Sequence, residues 1–309
     1  MKKSFGPEGA LIGTYSNNEY LSGIEKLEQA LRDEVILEAR TTLCDSEQNL
    51  YVELGQYTGI IPKSESLYSN DGSIKDIAIL TRVGKPVCFK VTDIINDEYG
   101  SKKIILSRKA AQRDCIHNYI EKLIPGDIIP ARVTHLENFG AFVDIGCGII
   151  SMLPIDCISI SRISHPHDRF DLGQYIKVIV KTAIDEYGRI TLTHKELLGT
   201  WEENAVLFTQ GVTVAGIVRS IESYGVFVEL TPNLAGLAEY REGVEIGNHI
   251  AVYIKSILSD KMKIKLVIVD SGRPEKVSFN IKYFIDSGHI DYWRYSPDVC
   301  ERVIETVFL

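Results

Sequence analysis

Long apolar runs are missing from this sequence of 309 residues, and none approaches the ~18 residues that a membrane-spanning helix needs. The N terminus, Met1-Lys2-Lys3, is not followed by the apolar core of a secretory signal peptide. The six cysteines are scattered and form no Cys-x-x-Cys pair, and a chain of this size does not need disulfides for stability. These absences predict a cytoplasmic chain with reduced thiols and no membrane partner.

An excess of positive charge is also missing, because the formal net charge is −8. An acidic chain is a poor electrostatic partner for nucleic acid as a whole, but the acidic residues are unevenly placed. Residues 34–109, 126–195 and 211–270 are each close to neutral, so every block has room for a basic stripe on one face. The balance of 45% hydrophobic and 25% charged residues is typical of a globular protein and excludes a disordered or fibrous chain.

The three near-neutral blocks are internal repeats. The tetrapeptide that begins at Asp97 (Asp-Glu-Tyr-Gly) recurs at Asp185, followed in both places by an alternating run. An alternating apolar pentapeptide occurs once in each block, and its central aromatic residues are Tyr51, Phe142 and Phe227. Their spacing of roughly 90 residues is the length of a whole small domain and not that of a solenoid unit.

The middle block predicts five strands, since apolar residues alternate along its runs and glycine or proline residues separate them. Five antiparallel strands in so short a block favour an OB-type barrel. We therefore predict a mostly β protein with three tandem five-stranded barrels, short helical linkers and a C-terminal hairpin-helix extension. The predicted segments are an N-terminal extension with a helix (1–33), a first barrel (34–109), a linker helix (110–125), a second barrel (126–195), a second linker helix (196–210), a third barrel (211–270) and the extension (271–309).

The sequence also predicts local structure at the two ends of the chain. Residues 1–19 show no periodicity and are expected to be loose, and Ser22 with Glu25 predicts a capping box for the first helix. In the extension, alternation from Val277 to Ile285 and the run Ile290 to Tyr295 predict a hairpin around Gly288. Ser296-Pro297-Asp298 then predicts the start of a last helix.

Aromatic residues are predicted on the solvent side of one strand in every block. Ala141 and Val143 share the parity of the barrel interior, so Phe142 points outward, and the same count places Tyr51 and Phe227 outward. Phe139 and Tyr224 extend the aromatic surface in two blocks. Cations share the outward parity of the last strand in each block, and they are Lys103, Arg189 and Lys263. Exposed rings beside cations are typical of surfaces that bind single-stranded nucleic acid.

The middle block resembles the S1-type RNA-binding domain, named after bacterial ribosomal protein S1. The resemblance lies in residues 138–144 (NFGAFVD), 170–174 (FDLGQ) and 185–193 (DEYGRITLT), and it is good in the third block and weak in the first. It implies an OB fold, binding of single-stranded RNA or mRNA, and the small ribosomal subunit as a further partner. No cofactor, no metal and a monomeric state are expected.

The resemblance also implies the positions of the RNA face. The candidate RNA-binding residues are Tyr51, Lys103, Phe139, Phe142, Asp185, Arg189, Tyr224, Phe227 and Lys263. The sequence departs from the family pattern, because Gln48 replaces the leading aromatic residue of the first block and Pro62, Pro154 and Glu239 occupy the place of a histidine. We therefore expect the first barrel to contribute least to RNA binding.

Several alternatives stay open. The exposed rings could pack on a neighbouring domain, and Asp185 could serve a hairpin turn. Cys157, His165, His167 and Asp168 invite a metal site, although their spacing fits no standard zinc pattern. The barrels could dock another protein instead of RNA. An RNA-degrading enzyme could carry such domains, but the chain after residue 270 is too short for a catalytic domain, so we predict a non-catalytic protein.

Overall fold

A computed structural model describes residues 5–69, 75–96, 102–185, 188–273 and 281–309, with side chains left out for 271–273. It contains three closed five-stranded barrels, as the sequence predicted. The strands of the first barrel are β1 (Leu37–Cys44), β2 (Leu50–Leu54), β3 (Tyr57–Ile61), β4 (Pro86–Asn96) and β5 (Lys102–Ser107). Those of the second are β6 (Ile128–Glu137), β7 (Gly140–Asp144), β8 (Ile150–Pro154), β9 (Tyr175–Thr182) and β10 (Thr191–Thr193). Those of the third are β11 (Thr213–Glu222), β12 (Gly225–Thr231), β13 (Leu234–Ala238), β14 (His249–Leu258) and β15 (Lys263–Arg273).

Strand order is the same in all three barrels: the first strand of each lies beside the second, then follow the third, fifth and fourth, and the fourth closes onto the first. The pairing of the third strand with the fifth is parallel in each barrel. This parallel contact differs from the predicted antiparallel pattern, whereas the other strand pairs of the first and third barrels are antiparallel. The domain boundaries given above stay a prediction, although every barrel strand except the end of β15 lies inside them.

Short helices lie before the first barrel, within it between β3 and β4, and between the barrels. They are α1 (Tyr15–Tyr20), α2 (Ile24–Arg32), α3 (Asp76–Leu80), α4 (Arg108–Asn118) and α5 (Trp201–Ala205). The predicted linker helices correspond to α4 and α5. The Ser107 hydroxyl accepts the N–H of Ala110 at 2.8 Å and caps α4, while Thr200 and Glu203 form a reciprocal capping box on α5. None of the helices in the described ranges is long and apolar enough to cross a membrane.

The chain forms two compact units. The first contains residues 1–123 with 130–132 and 144–150, and the second contains residues 124–129, 133–143 and 151–309. In the first unit the core of the first barrel consists of the inward side chains of its strands, including Leu50, Val52 and Phe89, all fully buried. In the second unit the third barrel has its own core, to which Trp201 of the second linker contributes. Period-two alternation thus places the side chains on one side of each strand in the buried interior of its barrel.

The N-terminal segment is ordered, so the expectation of a loose segment was wrong for residues 5–19. Glu8 is buried and its carboxylate takes a bidentate contact from Arg108, with Nε at 2.6 Å and Nη2 at 3.0 Å. The N–H of Glu8 also donates to the carboxylate of Asp144 at 2.7 Å. A buried ion pair with this geometry requires partners that are distant in sequence, and periodicity within residues 1–19 cannot reveal them. The capping box at Ser22 was also wrong, because the N-cap of α2 is Gly23, which has no side chain to cap the helix.

The C-terminal extension differs from its prediction. Its two-stranded antiparallel sheet joins β16 (Tyr292–Arg294) to β17 (Glu305–Val307), so only the first of these two strands lies where a hairpin strand was expected. Residues 281–285 are not a strand, and Val277 lies outside the described residues. Residues 296–304 form turns in place of the predicted helix, and the N–H of Ile304 donates to the hydroxyl of Ser296 at 2.8 Å. That serine therefore stabilises a turn rather than a helix start.

Aromatic side chains fix the extension within the second unit. Trp293 and Tyr295 are buried in the core of the third barrel, and the Tyr295 N–H donates to the carbonyl of Ile304 at 2.9 Å. Tyr283 packs instead on a small cluster formed by Ile179, Leu197 and Phe308. Packing therefore accounts for Tyr283, Trp293 and Tyr295, whereas Tyr292 is exposed.

Candidate nucleic-acid interface

One outward aromatic residue stands on the second strand of each barrel. Tyr51, Phe142 and Phe227 are half-buried, whereas the residues on either side of each are fully buried in the barrel interior. The strand parity read from the sequence is therefore confirmed in all three barrels. Each ring is held on a strand and not on a mobile loop. Stacking of a ligand on the ring therefore costs less conformational entropy than ordering a loop would.

In the second barrel Phe142 has an aromatic neighbour. Phe139, 53% exposed, meets it edge to face with ring centroids 5.9 Å apart and planes at 89°. Gly140 lies between them, and a Cβ there would stand 2.5 Å from the carbonyl oxygen of Leu153. A glycine is needed because the backbone of the next strand approaches so closely. The two rings form an exposed pair that we call the second-barrel platform.

The third barrel repeats this geometry with different rings. Tyr224, 67% exposed, meets Phe227 edge to face at 6.1 Å and 89°. Gly225 separates them at φ +148°, and a Cβ there would stand 2.5 Å from the carbonyl oxygen of Ala238. Tyr224 and Phe227 form the third-barrel platform. Two barrels thus reach one arrangement from segments that share an aromatic-Gly pair followed by Phe, Val and an acidic residue.

The first barrel lacks such a pair. Gln48 stands where the leading ring would be, in a turn where its φ is +66°. The Tyr51 hydroxyl lies 3.3 Å from Asp45 Oδ2, and this carboxylate also accepts the N–H groups of Glu47 and Asn49 through Oδ1. Burial, Asp45 and Glu47 raise the pKa of Tyr51 above its ordinary value. The surroundings of this ring are acidic and disfavour a phosphate.

The predicted cations lie two strands from the rings. Arg189 lies two residues before β10, which is separated from β7 by β8 alone, and Ile190 and Leu192 are buried, as the outward parity of Arg189 requires. Arg189 and Phe142 therefore both point out of the second barrel, and one strand, β8, lies between theirs. Lys103 on β5 and Lys263 on β15 occupy the same place in their barrels, and both are exposed.

Asp185 has a local role in the turn before Arg189. Its carboxylate accepts the N–H of Arg189 at 2.8 Å, and its own N–H donates to the Arg189 carbonyl at 3.0 Å. Asp185 therefore fixes the position at which Arg189 leaves the turn. Contact of Asp185 with RNA stays a prediction.

One exposed ring beside the platform was not among the sequence candidates. His135 on β6 lies with its ring centroid 6.3 Å from that of Phe142, and its Nε2 is 2.6 Å from a carboxylate oxygen of Glu137. The pairing of β6 with β7 brings His135 there. Parity along β6 could have placed it outward, but only the pairing register shows which ring it meets.

The sequence cluster that suggested a metal site serves a turn. His165 Nδ1 accepts the N–H of His167 at 3.1 Å, and Asp168 accepts the N–H groups of Ser164 and His165. Asp168 also contacts Arg219 at 2.9 Å. Within the part of the chain that the structure describes, no group of three or more His, Cys, Asp or Glu side chains is placed to hold a metal ion.

An acidic residue follows each outward ring by two positions, and two of the three are buried. Asp144 accepts the N–H groups of Gly146 and Gly148 at 2.9 and 3.0 Å, and burial together with Glu8 raises its pKa. Glu229 is fully buried and contacts two guanidinium groups, those of Arg169 and Arg219. Glu53, the matching residue of the first barrel, is exposed. These buried carboxylates face outward from their strands and mark sides of the barrels that are covered by other segments.

Comparison with known proteins matches the sequence to one family. The model of the S1 RNA binding domain matches residues 122–195, which contain the second barrel. The chain is 31% identical over 264 residues to the small ribosomal subunit protein bS1 of Staphylococcus haemolyticus, covering 84% of this chain and 64% of that protein. It is 30% identical over 278 residues to bS1 of Staphylococcus epidermidis, covering 84% of this chain and 68% of that protein. The chain thus spans about two thirds of the length of these relatives.

Among solved structures, a multidomain protein with nucleic acid binding domains from Streptococcus pneumoniae matches 76% of this chain and 73% of its own, at 15% identity and a TM-score of 0.24. The sequence identity to two full-length ribosomal proteins, together with the three barrels and the domain match, decides the family. The chain belongs to the bacterial ribosomal protein S1 family.

Proposed function

We propose that this chain is a non-catalytic protein that binds single-stranded RNA, including messenger RNA, through the second-barrel and third-barrel platforms. The observation that carries the proposal is the edge-to-face ring pair at the start of the second strand in two barrels, with a cation two strands away. Bases stack on such rings only when they are unpaired, and Arg or Lys contacts the phosphates between them.

The relatives supply the cellular setting of the proposal. Those reported above are named small ribosomal subunit proteins. We therefore place the chain in the cytoplasm, acting in translation with the small ribosomal subunit and RNA as partners. A monomer with three barrels in tandem suffices for this role, because each barrel presents its own face.

A titration tests RNA binding directly. Fluorescence anisotropy of the full chain is measured with single-stranded RNA, duplex RNA and single-stranded DNA of equal length across a salt series. We expect the tightest binding to single-stranded RNA, because a duplex keeps its bases stacked on one another. Equal affinity for the duplex would contradict a stacking platform.

Protein docking by the first barrel is a second candidate function, favoured by the carboxylates around Tyr51. Asp45 and Glu47 make this face unsuitable for phosphate but suitable for a basic protein surface. Co-sedimentation with small ribosomal subunits tests it. Substitution of Tyr51 or Asp45 by Ala should release the chain from subunits while leaving its affinity for free RNA unchanged.

A further inference from the structure

A cleft of about 400 Å³ opens beside the third-barrel platform. Its lining comes from three separate segments of the second unit: Phe227 lies on β12, Arg162 on a loop of the second barrel, and Arg302 on the C-terminal extension. A volume of this size is within the ~300–1,000 Å³ range of small-molecule sites. The cleft is therefore large enough for one nucleotide. No single barrel supplies its whole lining.

The extension fixes one wall of the cleft. Trp201 and Tyr295 line it and are both buried, and the Trp201 N–H donates to the Tyr295 carbonyl at 3.0 Å. Tyr295 in turn pairs with Ile304, which also lines the cleft. This wall is therefore held in place by hydrogen bonds within the chain, and a ligand does not have to order it.

The loop of the second barrel is fixed in the same way. The N–H of Ser161 donates to the carbonyl of Pro232 at 3.1 Å, and that of Ile160 donates to the side-chain oxygen of Asn233 at 3.0 Å. Arg162 follows directly, so its Cα has a defined position at the edge of the cleft. Its guanidinium is on an exposed side chain that can still adapt to a ligand.

The charges of the cleft favour an anion. Arg219 already forms ion pairs with two carboxylates, that of Asp168 at 2.9 Å and that of Glu229 at 2.7 Å. Arg162 and Arg302 are exposed, and no carboxylate in the described ranges forms an ion pair with either. The lining contains a single acid, Glu222, against these two cations. Two unpaired guanidiniums beside exposed rings match the phosphate and the base of a nucleotide.

We propose that this cleft takes one nucleotide of a bound single-stranded RNA, with its base on Phe227 beside Tyr224 and its phosphate on Arg162 and Arg302. The inference rests on the RNA binding proposed above. It adds that the third barrel does not bind alone: a loop of the second barrel and the C-terminal extension complete its site.

Salt-dependent anisotropy of the full chain with a labelled single-stranded oligouridylate tests the cleft. Arg162→Ala and Arg302→Ala should each weaken binding several-fold and lower the slope of log affinity against log salt by about 0.7, the value for one phosphate contact on a single strand. Lys282→Ala is the matched control, because Lys282 is an exposed cation of the same extension that does not line the cleft. It should leave both quantities unchanged.

Two further variants separate contact from structure. Arg302→Lys keeps the charge, so it should restore most of the slope. Phe227→Ala should weaken binding without changing the slope, because stacking releases no counterion. If both arginine variants bind like the wild type while Phe142→Ala still weakens binding, the cleft proposal is overturned and RNA binding by the second barrel stands. If the unmodified chain does not bind the oligonucleotide at all, both proposals fail.

Discussion

The hydroxyl of Tyr283 lies 3.3 Å from Nε2 of His194 and joins the C-terminal extension to the end of the second barrel. The same hydroxyl accepts the N–H of Lys177 at 3.0 Å, so its own proton is free to bond with the imidazole. His194 Nδ1 donates to the carbonyl of Ile158 at 2.8 Å. Nε2 is therefore an acceptor, and the ring is neutral. Protonation of Nε2 would remove the acceptor of the Tyr283 hydroxyl proton.

This arrangement predicts an acid-sensitive stability. Burial lowers the pKa of His194 to about 4, whereas an unfolded histidine titrates near 6.5. Between these values the unfolded chain binds a proton that the folded chain does not, so the free energy of unfolding falls as pH falls from 6.5 to 4. The loss attributable to His194 should reach about 2 kcal/mol by pH 4.5. Urea unfolding followed by the fluorescence of Trp201 and Trp293, both in the same unit, measures it.

A variant separates His194 from the other titrating groups. In His194→Asn the amide can still donate to the Ile158 carbonyl but cannot take up a proton in this range. The difference in unfolding free energy between the wild type and the variant should shrink by about 2 kcal/mol from pH 7 to pH 4.5. Parallel curves over that interval would show that His194 has no part in the acid sensitivity.

The sequence correctly predicted the structural features that depend on residues close together along the chain. Period-two alternation placed Ala141 and Val143 inside and Phe142 outside, and the structure agrees in every barrel. The repeated pentapeptide centred on Tyr51, Phe142 and Phe227 predicted equivalent strands in the three blocks. Burial of one strand face is a local property, because each side chain alternates with its neighbour.

The sequence failed where distant segments meet. Glu8 is ordered by Arg108, 100 residues away, and no pattern within the first twenty residues indicates it. The turn after β16 was mistaken for a helix start because Ser296 and Pro297 suit both, and the tertiary contact of Ile304 decides. Arg162 and Arg302 have no motif of their own. They matter only because the fold brings them to one cleft.

The second-barrel platform gives the next prediction. Phe142→Ala should weaken binding of single-stranded RNA by about 1 to 3 kcal/mol, since one stacking ring is lost. Phe142 points out of the barrel, so the unfolding free energy should change far less than the ~3–5 kcal/mol expected for a buried phenylalanine. Anisotropy titration and urea unfolding of the same samples measure both quantities.

Phe170→Ala is the matched control for that variant. Phe170 is a buried phenylalanine of the same barrel region, 1% exposed, so its truncation should lower stability strongly. If Phe142→Ala resembles this control in stability, and RNA affinity per folded molecule is unchanged, Phe142 is a packing residue and the platform is misassigned.

The first barrel should contribute least to RNA binding. Tyr51→Ala and Lys103→Ala should each change RNA affinity less than twofold, because Gln48 supplies no second ring and Asp45 repels phosphate. Point variants of the full chain are preferable to removal of the barrel, since a truncation would also remove Glu8 from Asp144. A loss as large as that of Phe142→Ala would reverse the ranking of the barrels.

Arg189 carries the last prediction. It leaves the Asp185 turn pointing out of the second barrel, and only β8 lies between its strand and that of Phe142. If it neutralises one phosphate, Arg189→Ala should weaken binding and lower the log-log salt slope by about 0.7, whereas Phe142→Ala should weaken binding at an unchanged slope. Arg189→Lys should keep the slope, because the charge remains. An Arg189→Ala protein with the wild-type slope would show that Arg189 is a solvated charge and that the phosphates follow another path. In that case the slopes of Arg162→Ala and Arg302→Ala would indicate whether that path runs through the third barrel.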